Sequence, residues 1–278
     1  MKQITIITGA TASGKTQYSL NYAKKFKKAI IINADASAIY KSFPILTAQP
    51  SDAEKNAFKH FLFEIKDIEE DFSVSKWLNL VDEILQSSEH KEYQKIIVGG
   101  TCMYIFLLIN GLVSSPEILP HKRAEATEIY NKVGYEEFVK MVESYDIETK
   151  KDKQRLINNY ALILQTGRSF SNWQKEPKKM FLQDGDYELI KINPSREEIY
   201  ANCNIRFLKM LEMGAESEVL SGMEKYGMNY NFNKILCANE IRDFLNGVIS
   251  REKMLELSTQ RTRNLAKSQI TWLNNKIK

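Results

Sequence analysis

Gly9-Ala10-Thr11-Ala12-Ser13-Gly14-Lys15-Thr16 carries the densest chemical signal in the sequence. It follows the spacing G-x-x-x-x-G-K-[ST], in which glycines let backbone N–H groups turn inward around phosphate oxygens. A helix opening directly behind such a loop adds the partial positive charge of its N-terminus. Gly9, Thr11, Ala12, Ser13, Gly14, Lys15 and Thr16 are therefore candidates for a pyrophosphate cradle. Lys15 would act as a point charge on the outer phosphate, and the Thr16 hydroxyl as a ligand for Mg²⁺.

Four further residues stand where chemistry is expected. Asp35 closes an apolar run and can serve as a metal ligand, a general base or a helix cap. Thr101 follows Gly99-Gly100, where missing side chains let a ligand approach the backbone, although a tight strand-to-helix turn has the same composition. Arg155 offers a guanidinium fork to phosphate oxygens, but most helix arginines are only solvated or surface-paired. Trp272 sits among Leu265, Ile270 and Leu273, which favours packing over stacking on a base.

These residues need elements to hold them. Ile4-Thr5-Ile6-Ile7-Thr8 is a β-branched run stopped by Gly9, and Gly14 to about Phe26 has helical character. Ala29-Ile30-Ile31-Ile32-Asn33 and Lys95-Ile96-Ile97-Val98 read as further buried strands, with an amphipathic helix after Ser73 between them. Short apolar strands alternating with helices predict an α/β fold, a three-layer parallel sheet of the P-loop NTPase type. Ligands of such sheets sit at the carboxyl ends of the strands, where Gly9, Asp35 and Thr101 fall. Residues 113–153 are charged, helix-favouring and without a strand candidate, so a small helical insertion is expected there. Residues 1–112 and 154–278 would form the core and a C-terminal helical region. Within the core, 154–164 should be a helix returning to it, 187–192 a late strand, and Ser195 with Glu198 a capping box.

Composition bounds the function class. The 278 residues are 43% hydrophobic and 27% charged, ordinary for a globular chain. Net charge is only +4, yet residues 259–278 hold Arg261, Arg263, Lys267, Lys276 and Lys278 without a carboxylate. A basic end on a neutral body suits a polyanion, and equally describes a solvated helix face. Cys102, Cys203 and Cys237 are too scattered for a disulfide framework or zinc site, and read as buried thiols. Met1-Lys2-Gln3 runs straight into the first strand without the plan of a signal peptide, and no apolar stretch approaches the ~20 residues that span a bilayer. A cytoplasmic protein without membrane contact is expected.

As a set, the motifs resemble the tRNA dimethylallyltransferases. The phosphate loop looks like that family's variant. Asp35-Ala36-Ser37-Ala38-Ile39-Tyr40-Lys41 with Thr47-Ala48-Gln49-Pro50 is similar to its D-S-x-x-x-Y-K…T-A-K/Q-P segment. Val98 to Tyr104 resembles V-G-G-T-x-x-Y, Gln154-Arg155-Leu156 resembles Q-R-[LI], and Thr262 to Trp272 resembles T-R-x-[LY]-A-K-R-Q-x-T-W. The resemblance implies that the loop binds dimethylallyl diphosphate, with Mg²⁺, and that N6 of an adenosine 3′-adjacent to the anticodon attacks its C1. It implies Asp35 as general base, Thr101 as an orienting residue, and Lys15, Thr16 and Arg155 as stabilisers of the leaving pyrophosphate. It also gives Gln49, Arg263, Lys267 and Gln269 to a tRNA anticodon stem-loop. A monomer is expected.

The sequence departs from the family pattern on the RNA side. Asn158 replaces a second arginine, Ala238-Asn239 falls in a G-Y-[KR]-[EQ] element, and Ser268 replaces the arginine of A-K-R-Q. Each lost cation removes a possible phosphate contact. Competing readings are an isopentenyltransferase of free adenine nucleotides, a small-molecule P-loop kinase, and a paralogue that binds without turnover. The single arginine of 113–153, Arg123, is poor for the arginine-rich lid of a kinase.

Overall fold

The computed structural model describes residues 3–149 and 152–277; Met1, Lys2 and Lys278 of the sequence reading lie outside them. The chain divides into two compact units, residues 1–110 with 181–278, and residues 111–180.

The first unit opens with β1 (Ile4–Gly9), α1 (Lys15–Ala23), β2 (Ala29–Asn33), α2 (Asp52–Ala57), β3 (Lys59–Phe61), α3 (Val74–Gln86), β4 (Gln94–Gly99) and α4 (Cys102–Asn110). The β-branched runs become strands buried on both faces: Ile6, Ile7, Ile30, Ile32, Ile96 and Ile97 are sealed from solvent, and so are Thr5 and Thr8. Capping fixes the connecting helices, with the Ser73 side chain accepting from Lys76 N–H at the start of α3.

The second unit holds β5 (Leu112–Val113), α5 (Pro120–Val133), α6 (Tyr135–Glu143), α7 (Lys153–Thr166), α8 (Phe170–Trp173) and β6 (Lys178–Lys179). Its core joins Ala126 of α5 and Phe138 and Val142 of α6 to Leu156, Ile157, Tyr160 and Ala161 of α7. The helix expected to return to the main core at 154–164 therefore belongs to the insertion, and the insertion is 111–180 rather than 113–153. The physical reason is the apolar face of α7, whose partners are supplied by α5 and α6. Asn159 stiffens this core: its amide donates to Asp146 Oδ2 at 2.8 Å and Thr149 Oγ1 at 3.0 Å, and its carbonyl accepts from Phe170 N–H at 2.7 Å.

The first unit resumes with β7 (Tyr187–Ile192), α9 (Arg196–Glu212), α10 (Ala215–Tyr226), α11 (Ala238–Leu245) and α12 (Arg251–Lys276). The sheet order is β3-β2-β4-β1-β7, parallel throughout, with Ile6 opposite Ile97 and Ile31 opposite Ile96. The three-layer P-loop architecture is thus present; the short strands β3, β5 and β6 are ones the sequence pattern did not signal, and β5 and β6 pair antiparallel in the expected helical insertion. Ser195 caps α9 by accepting from Glu198 N–H. No helix among the described residues is long and apolar enough to cross a membrane.

Candidate functional site

β1 delivers the chain at Gly9, where a side chain would meet Ser13 Oγ at 2.5 Å and Ile192 O at 2.6 Å, so only glycine lets the loop turn here. Gly14 adopts the left-handed conformation (φ 86°) and opens α1. Inside this turn Ser13 Oγ is buried and has no hydrogen-bond partner among the described residues. An orphaned buried hydroxyl costs free energy unless a ligand oxygen completes it, which fits an anion seated in the loop. Lys15 is 8% exposed, its Nζ donating to Ala10 O at a long 3.3 Å. Burial pushes its ammonium pKa down; Asp35 opposes this, and Arg206 adds to it as a like charge. The Thr16 side chain stands exposed in the first turn of α1.

Asp35 follows β2. It caps no helix; instead Oδ1 accepts from Ser37 Oγ at 2.9 Å and Ser37 N–H at 3.3 Å, while its own N–H donates to Asn33 Oδ1 at 2.8 Å. Asn33 is anchored in turn by its amide on Leu62 O. Gly99 lets β2 pass: a Cβ there would lie 2.1 Å from Ala34 O. Burial raises the Cys102 thiol to about 11 and the Tyr104 phenol to about 12, so both keep their protons at neutral pH. Asp35 is the carboxylate that faces Lys15.

Lys15, Thr16, Asp35 and Arg206 line one open cleft. Its remaining lining mixes apolar groups, among them Leu20, Ala38 and Phe63, with His60, whose pKa burial lowers. Cations beside hydrocarbon suit a ligand with an anionic head and a short apolar tail. Arg206, from α9, is the residue the sequence reading missed. Its guanidinium feels Asp35 as its principal opposite charge. The available signal was its place at the edge of the stripe formed by Cys203, Phe207 and Met210, which turns a helix arginine toward the interior.

The donors available here are hard oxygens, a hydroxyl from Thr16 and a carboxylate from Asp35, and no group of three metal-ligating side chains occurs among the described residues. An ion at this place would complete its shell with substrate oxygens and water, the habit of Mg²⁺, so the residues fit it.

The candidates for RNA contact are scattered in role. Lys267 is exposed; Arg263 is half-buried, its Nε donating to Asn204 Oδ1 at 3.1 Å. Gln49 donates to Tyr40 O at 2.6 Å, and its buried Oε1 has no partner among the described residues. Gln269 turns inward, accepting from Thr11 N–H and donating to Gly100 O. Trp272 packs edge-on against Phe106 at 5.3 Å, the packing role favoured from sequence. Arg155 belongs to the second unit, exposed and paired with Asp152 at 3.2 Å. The departures have local explanations. Ala238 is fully buried, Asn239 accepts from Phe232 N–H and Arg242, Asn158 accepts from Gln154, and Ser268 donates to Asn264 O.

Comparison with known proteins gives one family. The profile of "IPP transferase" matches residues 38–276. The tRNA dimethylallyltransferase of Pelagibacter ubique (strain HTCC1062) is 34% identical over 281 residues, covering 99% of this chain and 89% of that protein. That of Rickettsia conorii (strain ATCC VR-613 / Malish 7) is 33% identical over 282 residues, with 99% and 77% covered. Among solved structures, a eukaryotic dimethylallyltransferase acting on tRNA is similar with a TM-score of 0.77 and 26% identity, covering 98% of this chain and 70% of that one. A tRNA delta(2)-isopentenylpyrophosphate transferase from Staphylococcus epidermidis gives 0.65 and 26%, with 99% and 91% covered.

Proposed function

The chain belongs to the IPP transferase family, and from that premise we propose that it transfers a dimethylallyl group from dimethylallyl diphosphate to N6 of the adenosine 3′-adjacent to the anticodon in tRNA. The observation that carries the reading is the meeting of Lys15, Arg206 and Asp35 on one cleft whose other walls are partly hydrocarbon.

In this reading the loop from Gly9 to Thr16 holds the diphosphate, with Lys15 and Arg206 on its charge and Ser13 Oγ on an oxygen. The adenosine leaves the anticodon-loop stack to reach the cleft. Its N6 attacks C1 as the C1–O bond breaks, pyrophosphate departs, and the N6 proton passes to the Asp35 carboxylate. Negative charge grows on the leaving oxygens, so cations already fixed there lower the barrier. Thr16 would hold Mg²⁺, which when bound would supply further charge neutralisation. Arg263 and Lys267 serve the RNA backbone, and the protein works in the cytoplasm as a monomer.

The test is transfer of label from radioactive dimethylallyl diphosphate, with Mg²⁺, to unmodified tRNA, with AMP and ATP as parallel acceptors. Label on tRNA alone is expected. Label on a free nucleotide, or on no acceptor, would overturn the reading.

A further inference from the structure

We propose that Gln269 is a positioning residue that braces the phosphate loop against the Gly99-Gly100-Thr101 turn, and is not a contact for RNA. The reaction it serves is the one proposed above; the bracing itself stands on geometry alone.

β1 and β4 pair as far as Thr8 opposite Gly99. Beyond that point one chain curls into the phosphate loop and the other turns toward Thr101. Gln269 supplies the next rung from outside the sheet: Oε1 accepts from Thr11 N–H at 2.7 Å and Nε2 donates to Gly100 O at 2.8 Å. A primary amide offers a donor and an acceptor side by side, and the two partners fix which end is which. Each end is thereby engaged once inside the protein.

Two further features are built around this rung. Gly100 has no side chain, and a Cβ there would press to 2.9 Å from Gln269 Nε2 and 3.3 Å from both Lys15 Nζ and Gly9 O. Ala266 and Ile270 of the same helix pack with Ala10, Ala12, Ile199 and Cys203, so α12 lies against the back of the loop. The helix is held by packing, and the amide converts that fixed position into a fixed separation between the pyrophosphate cradle and the Thr101 turn. Because Thr101 in turn holds the main chain around Asp35, the rung sets the distance between the leaving group and the base.

The test uses the full chain and two ligands measured separately. In Gln269→Leu, the affinity for inorganic pyrophosphate with Mg²⁺, read by calorimetry, should fall by about three- to tenfold, the scale of one lost polar bridge. The affinity for an anticodon stem-loop RNA should stay within about twofold, and kcat for transfer should fall without a matching rise in the KM for tRNA. Unchanged pyrophosphate affinity, or RNA affinity falling as far as pyrophosphate affinity, would overturn the proposal. A wild-type protein that bound pyrophosphate but transferred no label would defeat the proposed function and leave the calorimetric comparison to decide the brace.

Discussion

Thr101 and Ala36 are joined by a hydrogen bond in which the Ala36 N–H donates to Thr101 Oγ1 at 2.8 Å. The Thr101 N–H donates to Ala34 O at 3.1 Å. One residue just past β4 thus grips the main chain on both sides of Asp35. Thr101→Ala would leave the Ala36 N–H unpaired and loosen the base. Transfer should fall by about tenfold or more, with stability lower by about 1 kcal/mol. Thr101→Ser restores the acceptor, and recovery of most of the activity in steady-state assays is the expected check.

Asp35→Asn removes the proton acceptor and keeps the shape. Transfer should drop by about 10²- to 10⁴-fold, the range for loss of a general base. Pyrophosphate binding should hold or tighten, since a negative charge facing Lys15 and Arg206 disappears. Calorimetry showing pyrophosphate affinity lost in step with turnover would make Asp35 a metal or structural residue instead.

Lys15→Met should weaken pyrophosphate binding and yet raise the melting temperature of the ligand-free protein, because a buried ammonium beside Arg206 is uncomfortable until an anion arrives. The pH dependence has a defined sign. The folded pKa of Lys15 lies below 10.5, so between the two values the unfolded chain holds the proton that the folded chain has shed. Wild-type stability without ligand should climb with pH through that window, and Lys15→Met should lack the climb. Chemical denaturation across alkaline pH measures both.

Arg206→Gln tests the cation that came from α9. Pyrophosphate affinity should fall by about tenfold or more, with transfer falling further because leaving-group charge is greatest in the transition state. Arg206→Lys keeps the charge and loses the fork, so partial recovery is expected. Equal activity of Arg206→Gln and wild type in the label-transfer assay would remove Arg206 from the site.

Much of the site was legible because it is local. The glycine loop, the strand before it and the helix behind it lie within residues 4–23, and the pattern of β-branched residues identifies a strand buried on both faces wherever it occurs. Asp35 and Thr101 were legible for the same reason, since each closes an apolar run and parallel strands align their carboxyl ends. The capping serines at 73 and 195 likewise announce their helices by short-range hydrogen bonding.

Short-range chemistry is enough to specify the glycine-rich loop, the parallel sheet and the residues at its carboxyl edge. Which distant groups meet there depends on long-range packing. Arg206 faces Asp35 across 171 positions of sequence, and no periodicity within α9 names that partner. Gln269, a polar residue in a basic helix, reads as a surface group until α12 docks and its amide finds Thr11 and Gly100. The extent of the insertion was decided in the same way, because the apolar face of α7 fits helices or a sheet equally well, and the packed partners, Phe138 and Val142 among them, settle the choice. Hydrophobic faces and polar side chains state what they require locally; which surface satisfies them is fixed only when the whole chain has packed.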